Sequence, residues 1–325
     1  MADNASVTIE DIRAAEKRLA GRVVRTPVLS APALDEAAGG RILAKAENLQ
    51  GTGSFKLRGG LNHVLSLTEE EKTRGVVAYS SGNHAQGVAR AAKLADVPAA
   101  IVMPADAPEA KRERTARDGA EVILYDRETE SREEIAGRLA KERGAKLIPP
   151  FDHPLTIAGQ GTAGLELTEQ AAEPIGQLIV CCSGGGLASG MGLAVREAYP
   201  DCEIVVVEPE GFDDMARSLA SEQLETNTRR GGSICDALLV ETPGHLTLPI
   251  LRSLDAKAVT VTDEEALAAM AFALTELKTV VEPGGAVALA AVLTGKVPTK
   301  GRTTAITLSG GNADPAMLLR ALKTS

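Results

Sequence analysis

Short runs of almost unbroken apolar residues alternate along this chain with longer amphipathic stretches, and this rhythm constrains the fold more than any other feature. "VVAYS" (76–80), "PAAIVMP" (98–104) and "EVILY" (121–125) read as strands. "NHAQGVARAAKLA" (83–95), "APEAKRERTARDG" (107–119) and "TESREEIAGRLAKERG" (129–144) read as the helices that follow them. A strand apolar at nearly every position is buried on both faces, which points to a parallel sheet covered by helices. The pattern resumes with "QLIVCC" (177–182), "GLASGMGLAVREAY" (186–199), "EIVVVEP" (203–209), "EEALAAMAFALTELK" (264–278), "AVALAAVLTG" (286–295) and "TTAITLSGG" (303–311). Nearer the N-terminus, Thr8 and Asp11 read as a capped helix start, "ILAKAE" (42–47) as a strand and "SFKLRGGLNHVLSL" (54–67) as a helix. The expected fold class is α/β, with two lobes, each a mainly parallel sheet flanked by helices. Residues 1–72 and 150–325 are expected to form a large domain, and 73–149 a small mobile one. Ligands of such sheets bind beyond the carboxyl ends of the strands, so the loops there are the candidates for chemistry.

The bulk numbers exclude several functions. Lys and Arg number 35 against 44 Asp and Glu, a net charge of −9, which favours neither nucleic acid nor an anionic membrane as partner. Tryptophan is absent and aromatics are 2% of residues, so stacking platforms for single strands are not expected. No apolar run approaches the length of a membrane span, and the N-terminus lacks a signal-peptide core. Cys181, Cys182, Cys202 and Cys235 form no C-x-x-C pair and read as buried free thiols, so a reducing cytoplasm is the expected location.

The candidate loops stand mostly at strand ends. "SGGGLASG" (183–190) follows a strand and opens a helix, where glycines let an oxyanion approach backbone N–H groups at the positive end of the helix dipole. It matches neither G-x-G-x-x-G nor a P-loop, so phosphate binding is favoured over a dinucleotide site, with a plain tight turn as the bland alternative. "YSSGNHAQG" (79–87) crowds Ser80, Ser81, Gly82, Asn83 and His84 into one turn that could hold a carboxylate, or could be an ordinary helix cap with His84 packing inside. "TLSGGN" (307–312) and "EPGG" (282–285) read more simply as a turn and a helix break. "VVVEPEGFDD" (205–214) places Glu208, Asp213 and Asp214 where a hard cation could sit, although an acidic loop capping the next helix is the simpler reading. Lys56, in "GTGSFKLRGG" (51–60), fits no P-loop; an amine set between glycine clusters suits covalent chemistry with a carbonyl.

Taken together and in order, "GTGSFKLRG", "SSGNHAQG", "AGQGT" (158–162), "SGGGL", "VEPEGFDD", "EPGGAV" and "LSGGN" resemble the fold-type II pyridoxal-phosphate (PLP) enzymes of the serine/threonine dehydratase and serine racemase family, whose fold is tryptophan synthase β-like. The resemblance runs from about Ile9 to beyond Asn312. It implies that Lys56 carries the cofactor aldehyde covalently and acts as base, and that Gly184, Gly185, Gly186 and Leu187 cradle its phosphate. It further implies that Phe55 lies against the ring, that Asn83 bonds the ring hydroxyl and that Ser309 faces the ring nitrogen. Ser81 matches a second acid/base, the turn Ser80–His84 binds the substrate α-carboxylate, and Arg132 matches an arginine that reaches a substrate carboxylate. Glu208, Asp214 and the carbonyl of Phe212 match ligands of a divalent cation (Mg, Ca or Mn), which reverses the simpler reading of that loop. The implied reaction is elimination from a small β-hydroxy amino acid such as threonine, serine or 3-hydroxyaspartate, in a homodimer. A racemase on the same site and an idle ligand-binding scaffold are the alternatives. Ala237 stands where relatives often have glycine, so the substrate does not carry over. The long threonine deaminases bear a regulatory C-terminal domain; with the chain ending soon after "LSGGN", feedback by isoleucine is not expected.

Overall fold

A computed structural model describes residues 7–107, 109–229 and 231–323. Its strands are β1 (Val28–Leu29), β2 (Arg41–Lys45), β3 (Val76–Tyr79), β4 (Ala99–Pro104), β5 (Glu121–Tyr125), β6 (Lys146–Leu147), β7 (Gln177–Cys181), β8 (Glu203–Pro209), β9 (Lys257–Val261) and β10 (Thr303–Thr307). The helices are α1 (Ile9–Leu19), α2 (Pro32–Ala38), α3 (Lys56–Leu65), α4 (Glu69–Arg74), α5 (Asn83–Leu94), α6 (Glu109–Arg117), α7 (Arg132–Arg143), α8 (Pro154–Gln170), α9 (Gly186–Ala198), α10 (Asp214–Ser221), α11 (Thr247–Ser253), α12 (Asp263–Thr275), α13 (Pro283–Leu293) and α14 (Pro315–Leu322). Thr8 and Asp11 form the capping box read from the sequence.

Two sheets result. The larger runs β1-β2-β10-β7-β8-β9 and is parallel except for the short β1. The smaller runs β5-β4-β3-β6, all parallel, and is drawn entirely from residues 76–147. Side chains alternate across it: Val76, Ala78, Ile101 and Met103 join α3 and α5 in one core, whereas Val77, Ala100 and Val102 meet Ala136 and Ala140 of α7 on the other face. Helix α3 therefore lends Leu57, Leu61 and Val64 to the core of the smaller sheet, although it starts beside the larger one.

What holds α3 is α8, a helix absent from the sequence reading. Gly159, Gly161 and Gly164 break its pattern and disguise it. A Cβ on Gly159 would stand 2.7 Å from the Arg58 carbonyl oxygen and from Gly59 Cα; one on Gly161 would stand 2.9 Å from the Gly190 carbonyl oxygen. These glycines let α8 lie between α3 and α9 at backbone contact. Buried charges complete the joint. Arg58, wholly buried, donates to Glu47 through Nε (2.7 Å) and Nη2 (2.8 Å), and to Glu166 of α8 through Nη1 (2.7 Å) and Nη2 (2.8 Å). Lys45 on β2 adds a 2.6 Å contact to Glu166, giving two cations and two carboxylates. Arg58→Ala removes the ion-pair partner of Glu47 in a dry site and leaves Glu166 with Lys45 alone, and the expected loss of stability is about 3–5 kcal/mol. Urea unfolding checks this; a loss below about 1 kcal/mol, the range of a surface pair, would contradict it.

Candidate active site

The loops at the carboxyl ends of both sheets meet at one cavity. Lys56 opens α3, and the loop before it is tied to the end of β10: Phe55 N donates to the Ser309 carbonyl (3.2 Å), Gly311 N to that of Gly53 (2.8 Å), and Ser54 pairs with Gly310. Lys56 and Ser309 are thereby brought to the same wall. Lys56 Nζ donates to the Pro150 carbonyl at 2.8 Å and stands 5.0 Å from the centroid of the Phe55 ring. Desolvation lowers its pKa from the ordinary lysine value to about 8.

Facing the lysine is the turn Ser183–Leu187. Gly185 has φ +91° and is the N-cap of α9, with no side-chain capping bond, so the first N–H groups of that helix are left for a ligand. Thr247 Oγ1 and Gly244 N donate to the Gly184 carbonyl at 2.6 and 3.2 Å and fix the turn from behind. A Cβ on Gly184 would lie 2.3 Å from the Phe151 ring, a residue that sequence reasoning missed. Free helix N–H groups behind glycines, next to a desolvated amine, fit a phosphate-bearing aldehyde.

The turn after β3 supplies the opposite wall. Ser80 Oγ accepts from Gly82 N at 3.1 Å, whereas no hydrogen bond of the Ser81 hydroxyl is recorded among the described residues. His84 is buried, with Nε2 at 2.9 Å from the Ile148 carbonyl; desolvation, and then the Lys56 charge, lower its pKa to about 3, so the ring is neutral. Asn83 Nδ2 donates to Glu282 at 2.5 Å, and its Oδ1 accepts from Asn312 at 2.8 Å. An amide nitrogen has two hydrogens, so one stays available beside the cavity. Desolvation raises the pKa of Glu282 to about 7, opposed by the Asn83 bond. The "EPGG" segment is thus not merely a break: Glu282 precedes a buried helix begun by Pro283. Ser309 is buried beside the Cys181 thiol and also lines the cavity. Arg132 lines it as well, 5.6 Å from the Tyr79 ring centroid and held by Glu133 at 2.7 Å. Ala237 lines the opposing lip, and Lys111 and Arg114 of α6, unforeseen from sequence, line the mouth.

The acidic loop after β8 stands apart from the cavity lining. Glu208 and Asp214 are fully buried rather than solvated. Glu208 accepts the N–H groups of Met215 (2.9 Å) and Ala216 (2.8 Å), so it does cap the next helix. Asp214 Oδ1 accepts from Asn227 at 2.6 Å, but Oδ2 is buried without a partner among the described residues. Desolvation, and then the neighbouring Asp214, push the Glu208 pKa up. Two such carboxylates and an orphaned oxygen fit a cation, although no group of three metal-ligating side chains forms among the described residues.

Residues 19–310 match the family described as pyridoxal-phosphate-dependent enzyme. The chain is 44% identical to an L-threo-3-hydroxyaspartate ammonia-lyase of a Pseudomonas species, over 94% of this chain and 95% of the relative. It is 41% identical to an L-threonine ammonia-lyase of Thermotoga maritima, over 97% of this chain and 78% of that one. The solved serine racemase of maize superposes with a TM-score of 0.92 at 40% identity, covering 98% of each chain. The chain therefore belongs to the pyridoxal-phosphate-dependent enzymes and has the fold-type II architecture expected from its motifs.

A side chain at Gly185 must adopt φ +91° and meets Met215 and Thr247 at 2.8 Å. The strain in Gly185→Ala, about 1–3 kcal/mol, is expected to weaken cofactor binding roughly 5- to 150-fold. Titration of the apoprotein with PLP measures this; an unchanged dissociation constant would show that the turn does not hold the phosphate.

Proposed function

We propose that the protein is a PLP-dependent ammonia-lyase converting a small β-hydroxy amino acid (threonine, serine or 3-hydroxyaspartate) to a 2-oxo acid and ammonia. The observation that carries this reading is the convergence in one cavity of a desolvated lysine amine, the Ser81 hydroxyl without a hydrogen bond among the described residues, and an uncapped helix N-terminus behind glycines. The activities named for the Pseudomonas and Thermotoga relatives support it.

In this reading Gly184, Gly185, Gly186 and Leu187 hold the phosphate, Phe55 lies against the ring, Asn83 bonds its hydroxyl and Ser309 faces its nitrogen. Lys56 is the tether. Bound there, the cofactor supplies an electron sink for the charge left when the α-proton departs. Lys56 Nζ, released when the substrate amine replaces it on the cofactor, takes that proton, which requires a neutral amine. A pKa near 8 leaves a useful neutral fraction at pH 7–8, where an ordinary lysine, near 10.4, is almost wholly charged. Ser309 offers a hydroxyl instead of a carboxylate, so it does not keep the ring nitrogen protonated, and charge is relieved by prompt loss of the β-hydroxyl. The α-proton and the hydroxyl leave as water; the released enamine then takes up water and loses ammonia. N–H groups of the turn Ser80–His84 hold the α-carboxylate at the start of α5. Arg132 is the arginine that the resemblance offers for a substrate carboxylate, supported by its place in the cavity lining.

Glu208, Asp214 and the Phe212 carbonyl hold a divalent cation (Mg, Ca or Mn) that steadies the large domain, which an assay with and without chelator reads. The lobe 73–149 moves over the cavity. The enzyme acts as a homodimer, supported by the exposed Val24, Leu49 and Val280, and sedimentation tests this. Among the described residues no helix is long and apolar enough to cross a membrane, and the four buried free thiols support a reducing cytoplasm.

Ser81 is the second acid/base, and its hydroxyl opens racemisation on the same site. Ser81→Ala is expected to reduce conversion of L-serine to D-serine about 100-fold or more while keto-acid formation from the L isomer persists. Chiral chromatography with a keto-acid assay reads both; loss of the two in parallel would remove Ser81 from that role.

A further inference from the structure

The charges lining the cavity do not balance once the tasks proposed above are assigned. Lys56, Lys111, Arg114 and Arg132 face Asp236 and Glu282. Lys56 is committed to the proton, and the phosphate and α-carboxylate are met by backbone N–H groups. Arg132 is partly spent on Glu133 and Tyr79. Lys111 and Arg114 remain. They stand three residues apart on α6, hence on one face, and both line the mouth. Lys111 Nζ reaches across the cleft to Asp236 Oδ2 at 3.0 Å, on the lip that bears Ala237. Arg114 makes no ion pair or hydrogen bond among the described residues, a planar cation at the edge of the cavity. Its neighbours on the helix do not line the cavity, so the basic run as a whole is a solvated face and only this pair turns inward.

Resting on the reading of the site given above, we infer that Lys111 and Arg114 form a distal-carboxylate subsite that selects dicarboxylic β-hydroxy amino acids over threonine and serine. A guanidinium grips a carboxylate through two parallel N–H bonds, and a neighbouring ammonium adds charge. The α-carboxylate lies at the turn after β3 and the second carboxylate at α6, so both ends of the substrate are held by the smaller sheet and its helices. Lys111 exchanges Asp236 for the substrate, or shares the two. A threonine methyl or a serine hydrogen has no group to offer there, and the cations stay solvated.

The test compares kcat/KM for L-threo-3-hydroxyaspartate and L-serine in the PLP-loaded enzyme, its Arg114→Ala variant and its Arg114→Lys variant. Arg114→Ala is expected to lower the ratio of the two constants about tenfold or more, through KM for the dicarboxylate rather than kcat. Arg114→Lys should recover part of it, which a merely structural role would not predict. Calorimetry with succinate gives a second readout: binding to the wild type should weaken with added salt and fall by a similar factor in Arg114→Ala. A ratio and a succinate affinity that both stay within about twofold of wild type, a change too small for a charge-assisted bond, would overturn the subsite alone, provided the wild type still forms keto acid. A wild type that forms no keto acid from any hydroxy amino acid would overturn the subsite and the lyase reading together.

Discussion

The backbone contact between α3, α8 and α9 is the constraint on which the site depends. Lys56 begins α3 and the glycine turn begins α9, and α8 lies against both. Gly59, Gly159, Gly161 and Gly190 bring the helix axes close enough that side chains would separate them. Two residues after Lys56, Arg58 locks the same joint with four hydrogen bonds to buried carboxylates. Such a network contributes little net stability compared with an apolar core of equal shape, but it tolerates no missing member. Its effect is geometric: the amine and the helix N-terminus are set by one rigid unit.

Solvation then sets the chemistry. The amine is withdrawn from water with no carboxylate bound to it, so its pKa falls; a lysine paired with Glu or Asp would have stayed charged. The turn proposed to hold the phosphate offers backbone N–H groups instead of cationic side chains, which would leave Lys56 without a competing charge there. Among the described residues the other cations lining the cavity are on α6 and α7.

Much of this was legible in the sequence, and the failures have physical causes. The apolar strands and the helices between them lie within a few residues of their expected bounds, because burial on both faces leaves a continuous apolar record. The strand-end loops were legible for the same reason. Helix α8 was hidden because its glycines, which a propensity argument counts against a helix, are there for close packing. Glu282 and Phe151 were missed because each acts through a contact distant in the chain, with Asn83 and with Gly184. Lys111 and Arg114 lie in a stretch, 107–119, read as a helix; only the fold shows which of its side chains face the cavity. The acidic loop follows its simpler reading in that Glu208 caps a helix, while Asp214 keeps an oxygen unpartnered among the described residues.

The central claim is that one lysine amine, and no other, is tethered to the cofactor beside the glycine turn. Borohydride reduction of the purified holoprotein, followed by digestion and mass spectrometry of the peptides, tests it directly. The account predicts a pyridoxyl group on the peptide containing Lys56. The same group on a different lysine, or on none while cofactor is bound, would contradict it.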